Sequence, residues 1–389
     1  MELTRKQEEG LKIALNRFKN KEKYTVISGY AGSGKSTLVR FIIDALNISE
    51  NNVCYATFTG KAAQVLLKKG NKNVYTLHKL LYKSIPKPNG GFFHIPVEDV
   101  PYRVVVVDEV SMAPKELMSL LATYDVHIIC LGDPFQLPPV DKDSDNHILD
   151  NPHIFLDEIM RQAQESEIIR LTMDIREYKP ISFQHGKEII VESKSALTTG
   201  MLTWADQIIC GTNAMRVGIN NQMRDLLGRS GSPKDGDKVI CLRNYWDVFA
   251  SNGDPLVNGT IGYLKNSFDS FVNIPYKFGG GSIDIVSGNF ISDSDSTFEN
   301  LDMDKNMIMT GEKSIDWKTA YKISRNPLFK GLIPLEFTYG YVITCHKSQG
   351  SEWDKVLVVE ESFPFAKEEH ARWLYTACTR ASEKLVLVR

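Results

Sequence analysis

Apolar positions in the first third of the chain alternate between two periods. Leu11, Ala14, Leu15 and Phe18 recur at helical spacing, which predicts an amphipathic helix over Arg5 to Phe18. Tyr24 to Ser28 is a short strand pattern, followed by a glycine-rich turn and a helical pattern through Leu38, Ile42 and Leu46. Val53 to Thr57 reads as a strand and Ala62 to Lys69 as a helix. Val104 to Val107 is an unbroken run of valines, which suits a central parallel strand covered on both faces. A helix over Lys115 to Tyr124 and a strand over His127 to Leu131 complete the set. Repeated strand–helix units imply an α/β fold, a parallel sheet with helices on both sides.

A second set follows. Gln207 to Cys210 reads as a strand, Ala214 to Leu227 as a helix and Lys238 to Leu242 as a strand. The pattern resumes at Leu335 to Thr338 and Lys355 to Glu360, then a helix over Lys367 to Ala377 and a strand over Lys384 to Val388. The intervening stretch, Asn244 to Pro334, is rich in Gly, Asn, Asp and Ser, with short alternating runs at Gly259 to Leu264 and Phe271 to Ile274. That composition predicts a small β-rich insertion, and the two α/β halves suggest a duplicated architecture.

At 389 residues, with 42% hydrophobic and 24% charged positions, the chain has room for two or three domains with proper cores. No apolar run approaches membrane-spanning length and the start is not a signal peptide, which predicts a cytosolic protein. The six cysteines are far apart, with no CxxC pair, and read as small core residues in a reducing compartment. A net charge of −2 argues weakly against a nucleic-acid partner. The charge is uneven, however: Lys61, Lys68, Lys69, Lys72, Lys79, Lys83 and Lys87 gather in one region. Such a stripe is either a solvated face or enough to hold phosphates.

The strongest chemical signal is GYAGSGKST, in which Gly29, Gly34, Lys35 and Ser36 match a phosphate-binding loop between a strand and a helix. Backbone amides of such a loop cradle phosphates, Lys35 would neutralise the β- and γ-phosphates, and Ser36 would ligate Mg²⁺. Gly32, Ser33 and Thr37 belong to the same loop and helix start. Asp108 and Glu109 end the valine strand, where parallel sheets place ligand groups. Asp108 can hold Mg²⁺ and Glu109 can orient or deprotonate an attacking water. In GDPFQLPPV, Gln136 is placed to sense the γ-phosphate or its water.

These segments are joined by ATFTGKAAQ, YTLHKLL, IMRQAQES, ITCHKSQGSEWD and YTACTRA. Together they resemble the ordered motif set of superfamily-1 helicases, the RecD and phage Dda branch, over nearly the whole chain from Gln7 to Ala381. The resemblance implies two RecA-like domains with ATP between them, single-stranded DNA and single/double-strand junctions as partners, and 5′-to-3′ movement. Mapped on this chain, residues 1–155 would form the first RecA-like domain, with a hairpin at 82–97. Residues 156–243 and 335–389 would form the second, and 244–334 a β-rich, SH3-like insertion.

Carried over residue by residue, Gln7 resembles an adenine-reading glutamine, although Thr4-x-x-Gln7 is also a helix capping box. Arg161 and Arg380 resemble two arginines that reach the γ-phosphate. Gln349, Gly350 and Glu352 resemble a segment coupling nucleotide to strand, with Glu352 near the ribose. Thr59, Lys61, His78, Thr344, His346 and Lys347 resemble strand contacts; His78 and His346 are alternatively structural histidines. Thr212, Asn213 and Arg216 open a helix and either hold phosphate or, for Asn213, cap that helix. In the family the place of Tyr82 to Val97 holds a duplex-splitting pin, so Phe92 or Phe93 would stack on the junction base pair or staple the loop to its domain. Three rivals to a DNA motor remain open from sequence: an RNA motor, a nucleotide-gated clamp and a small-molecule kinase.

Overall fold

The computed structural model describes residues 3–86, 92–138, 145–160, 165–253, 255–326, 328–362 and 366–389. The chain divides into two compact units. The first comprises Met1–Lys83, Pro96–Ile209 and Ser348–Arg389, the second Ser84–Ile95 and Cys210–Lys347.

The first unit is built on parallel sheets. In one, the strands run in the order Val74–Thr76, Val53–Thr57, Val104–Val107, His127–Gly132, Tyr24–Gly29, Ile154–Leu156, all parallel. The valine run lies third, fully buried, as its composition predicts. Successive residues of a strand face opposite sides. Val105 and Val107 therefore pack with Leu77, Leu81, Leu117 and Leu121 on one face. Val104 and Val106 pack with Ala14, Leu38 and Ile42 on the other. Helices Arg5–Lys19 and Lys35–Leu46 cover this second face with the apolar stripes read from sequence. Strand Ile154–Leu156 was not expected, because three residues are too few to show a period.

In the same unit, strands Gln207–Cys210, Trp353–Val359, Ala381–Val388 and Ile189–Glu192 lie side by side in parallel, and Gln184–His185 adds an antiparallel edge. Helix Lys367–Cys378 connects Trp353–Val359 to Ala381–Val388 and runs directly into the latter through Thr379 and Arg380.

The second unit is dominated by an antiparallel sheet in the order Thr297–Asp304, Ser282–Ser292, Ile261–Asn273, Lys238–Cys241, Phe337–Tyr339. Two sequence expectations are corrected here. Lys238 to Leu242 and Leu335 to Thr338, read as part of the second α/β set, instead contribute Lys238–Cys241, which pairs antiparallel with Ile261–Asn273 on one side and with Phe337–Tyr339 on the other. A short strand buried on both faces carries no mark of its partners' direction. The runs at Gly259 to Leu264 and Phe271 to Ile274 merge into one strand of 13 residues. Its middle is mostly solvent-exposed and bulged, with Asn266 at φ 53°, so apolar alternation is lost there. At the far end, Ile323 of helix Trp317–Ser324 packs with Ile274, Ile283, Ile285 and Ile315.

Tyr82–Pro86 and Phe92–Pro96 form a two-stranded sheet; the expected hairpin tip, 87–91, lies outside the described residues. All six cysteines are buried. Among the described residues, no helix is long and apolar enough to cross a membrane.

Candidate nucleotide site

Strand Tyr24–Gly29 delivers the phosphate loop, and helix Lys35–Leu46 leaves it with no side chain capping its first turn. A helix start whose amides have no side-chain acceptor favours anions. Gly34 is at φ 79°, and a Cβ there would collide with the Gln7 amide and the Met160 sulfur. Only glycine satisfies both demands. Lys35 Nζ donates to Gly29 O at 2.6 Å and Tyr30 O at 3.0 Å, which holds the ammonium inside the loop. Among the described residues, Ser33 Oγ is buried without a hydrogen-bond partner, the kind of group a bound ligand can satisfy. Ser36 and Thr37 occupy the first turn of the helix.

Gln7 is buried and takes part in a complete capping box with Thr4, accepting from the Thr4 amide at 3.0 Å. Its Nε2 also donates to Ser33 O at 3.4 Å and Gly34 O at 3.5 Å. The capping role and a place beside the phosphate loop thus coexist in one side chain.

Asp108 is half-buried and accepts from the Glu109 amide at 2.9 Å. Desolvation and repulsion from Glu109 push its carboxyl up to about 6, with Lys35 opposing. A carboxylate in that position is relieved by a cation. Asp108 and Ser36 are oxygen donors of the kind that Mg²⁺ takes when phosphates and water complete its shell, so the residues present fit Mg²⁺ in their chemistry. Glu109 sits at φ 51°, a left-handed conformation that costs a non-glycine residue about 1 kcal/mol. Its carboxylate faces Gln136.

Gln136 is buried. With its amide oriented to satisfy both neighbours, it donates to Glu109 Oε2 at 3.3 Å and accepts from Arg380 Nη2 at 3.3 Å. Arg380 is itself only 5% exposed. Its Nε donates to Thr376 O at 3.1 Å and its Nη1 to Ser351 O at 3.2 Å. Glu109, Gln136 and Arg380 are 27 and 244 positions apart in sequence, yet they form one bridge. Arg161 lies outside the described residues.

The segment from Gln349 to Glu352 packs in the same unit. Gln349 Nε2 donates to Leu137 O at 2.7 Å, next to Gln136. Gly350, at φ 70°, presses on Thr59, where a Cβ would stand 3.1 Å from its Oγ1. Glu352 pairs with Lys69 at 3.2 Å, an exposed ion pair of small energetic consequence. Asp133 and Tyr375 were missed as site residues from sequence, yet their side chains meet at 2.6 Å. Each lies within a flagged motif, so position was the available signal.

Among the expected strand contacts, Thr59 caps helix Gly60–Lys68 through Ala62 N at 3.2 Å. Lys61 Nζ stands 5.9 Å from the Trp353 ring centre. His78 stacks near Tyr82, with ring centres 6.3 Å apart. In the second unit, Thr344 ends strand Val342–Thr344, and His346 and Lys347 follow on a short helix. Surrounding protein lowers the proton affinity of both, and Lys347 donates to Asn258 Oδ1 at 3.0 Å. Arg216 Nε donates to Asn213 Oδ1, while the cap of helix Asn213–Leu226 is Thr212 rather than Asn213, since only the residue before the first turn can reach the free amides. Phe92 and Phe93 lie in a described strand, but their side chains are outside the described residues.

A family model described as an AAA domain matches residues 2–189, which takes in the phosphate loop, the acid pair and Gln136. A second, the UvrD-like helicase C-terminal domain, matches 339–388, which takes in Gln349 to Arg380. The two halves of the bridge thus fall in two models in that order. The chain is 26% identical over 371 residues to the ATP-dependent RecD2 DNA helicase of Deinococcus radiodurans, covering 92% of this chain and 46% of that protein. It is 35% identical over 148 residues to the ATP-dependent DNA helicase dda of Enterobacteria phage T4, covering 36% of this chain and 34% of that protein. The chain is similar to superfamily-1 helicases of the RecD and Dda type in both matched segments. It spans less than half the length of these two curated relatives. The fold is similar to that of a solved Pif1 helicase from Bacteroides in complex with ADP-AlF3 and ssDNA. The TM-score is 0.53 at 20% identity, covering 100% of this chain and 92% of that one.

Proposed function

We propose that this chain is an ATP hydrolase that translocates along single-stranded DNA in the 5′-to-3′ direction and separates duplex DNA. The observation that carries the reading is the Gln136 bridge between Glu109 and Arg380 beside the phosphate loop. A general base, a sensor and a cation in contact suit a site that hydrolyses and reports, whereas a passive clamp needs no such set. The names of the two curated relatives, both ATP-dependent DNA helicases, support DNA over RNA.

In this reading Gly29, Gly32, Ser33, Gly34, Lys35, Ser36 and Thr37 bind the phosphates of ATP, and Gln7 reads the adenine. Ser36 and Asp108 would hold Mg²⁺, which supplies charge neutralisation at the phosphates. Glu109 accepts the proton of the attacking water, Gln136 orients that water, and Arg380 with Arg161 offsets charge developing on the γ-phosphate. Gly350 and Glu352 link the nucleotide to strand grip. Thr59, Lys61, His78, Thr344, His346 and Lys347 hold the strand mainly through its phosphates, which suits sequence-independent tracking. Phe92 and Phe93 act at the junction. The domain organisation that goes with it is a RecA-like domain at 1–155, a second at 156–243 and 335–389, and an SH3-like insertion at 244–334.

The test is direct. Purified chain with ATP, Mg²⁺ and an unpaired DNA oligonucleotide should release phosphate, and more than with a matched RNA. Duplexes with a 5′ tail should be unwound and those with a 3′ tail left intact. Absence of phosphate release rejects the reading; preference for the 3′ tail rejects its direction.

A further inference from the structure

A tyrosine in a helix core that served packing alone could equally be phenylalanine, because its hydroxyl otherwise needs a partner. Tyr375 is only 1% exposed and its hydroxyl has two partners. It accepts from the amide of Ala31, inside the phosphate loop, at 2.8 Å. It donates to Asp133 Oδ2 at 2.6 Å. The other oxygen of Asp133 accepts from the Phe135 amide at 2.9 Å and so fixes the turn that presents Gln136.

The helix is fastened to the other side of Gln136 as well. Thr376 Oγ1 accepts from the Leu137 amide at 2.9 Å. The Phe135 ring meets the Tyr375 ring edge-on, 5.2 Å between centres. Five residues beyond Tyr375 lies Arg380, whose guanidinium reaches Gln136. The phosphate loop, the Gln136 loop and the arginine's helix therefore converge on one phenolic oxygen.

We propose that Tyr375 is a positioning residue for ATP hydrolysis, its hydroxyl tying the phosphate loop to Asp133 so that Gln136 and Arg380 are set in register with the bound phosphates. The proposal rests on the nucleotide reading above and adds a residue that touches neither the water nor the γ-phosphate. A neutral core hydroxyl would stabilise the fold and leave turnover alone. A positioning hydroxyl affects turnover more than nucleotide affinity.

The experiment uses the full chain and compares Tyr375→Phe, Asp133→Asn and the double variant by oligonucleotide-stimulated phosphate release, with unfolding temperature measured in parallel. Tyr375→Phe keeps the ring against Phe135 and removes one oxygen. It should lower kcat about tenfold, as expected for losing a hydrogen bond to a charged partner, with the KM for ATP within about twofold. Because both residues act through one contact, the double variant should be no slower than the slower single variant. Leu374→Val, a buried packing change in the same helix, controls for stability. Unchanged kcat in Tyr375→Phe, losses that multiply in the double variant, or an equal kcat loss in Leu374→Val would each overturn the proposal. Should Tyr375→Phe not fold, the split between kcat and KM in Asp133→Asn decides in its place. A wild-type chain that releases no phosphate instead overturns the nucleotide reading on which this rests.

Discussion

Gln136 lies within hydrogen-bonding reach of Arg380, 3.3 Å from amide oxygen to guanidinium nitrogen, while its amide nitrogen faces Glu109 at the same distance. The bridge joins the acid at the end of the valine strand to the cation just beyond helix Lys367–Cys378.

Glu109→Gln leaves a side chain that can still meet Gln136 but cannot accept a proton from water. ATP affinity should be retained while oligonucleotide-stimulated turnover falls by about 10²- to 10⁴-fold. Nucleotide binding measured beside single-turnover hydrolysis checks this, and near-normal turnover would remove Glu109 from the role of base.

Arg380→Ala removes a cation that is positioned by Thr376 O and Ser351 O. A loss of about 10³- to 10⁵-fold in kcat is expected if it serves as an arginine finger. Arg380→Lys should rescue little, because one ammonium cannot satisfy those carbonyls and Gln136 together. Steady-state kinetics of both variants distinguish a finger from a structural ion, for which lysine would restore most of the rate.

Asp108 has a folded value of about 6 against an ordinary 3.8, so the folded chain holds this proton more tightly than the unfolded chain. Stability must then fall as pH rises between those two values, and the full deficit is present above about 6. Asp108→Asn removes that deficit. In the presence of a chelator the variant should melt higher than wild type, by about 2–4 °C, at pH 8. The difference should shrink at pH 5, while hydrolysis is lost throughout. Equal melting at both pH values would count against the raised carboxyl.

In the second unit Asp237 is fully buried against Arg224, 3.1 Å from Nη2, and also accepts from the Tyr341 hydroxyl at 3.0 Å. Asp237→Ala strands a buried guanidinium and should cost about 3–5 kcal/mol. Denaturant unfolding of the variant measures it directly; a loss below about 1 kcal/mol, the range of an exposed pair, would contradict the geometry.

Phe92→Ala combined with Phe93→Ala should reduce strand displacement while sparing ATPase activity stimulated by single-stranded DNA. Parallel loss of both activities would show that the aromatic pair serves folding or strand grip instead.

The sequence by itself determined the local elements and the residue types each presents. The helix over Arg5–Lys19, the valine strand, the phosphate loop and the acid pair were all legible, because period, glycine placement and strand-end position are set by neighbours a few residues apart. Tertiary structure alone decided three things. Lys238–Cys241 and Phe337–Tyr339 pair with an antiparallel neighbour, since a strand covered on both faces is apolar in either sheet type. Gln7 is both cap and loop neighbour, since burial permits one amide to serve both. Asp133, Tyr375 and Ala31 meet although 102 and 242 positions separate them, and no local pattern encodes a contact made only after the helix docks.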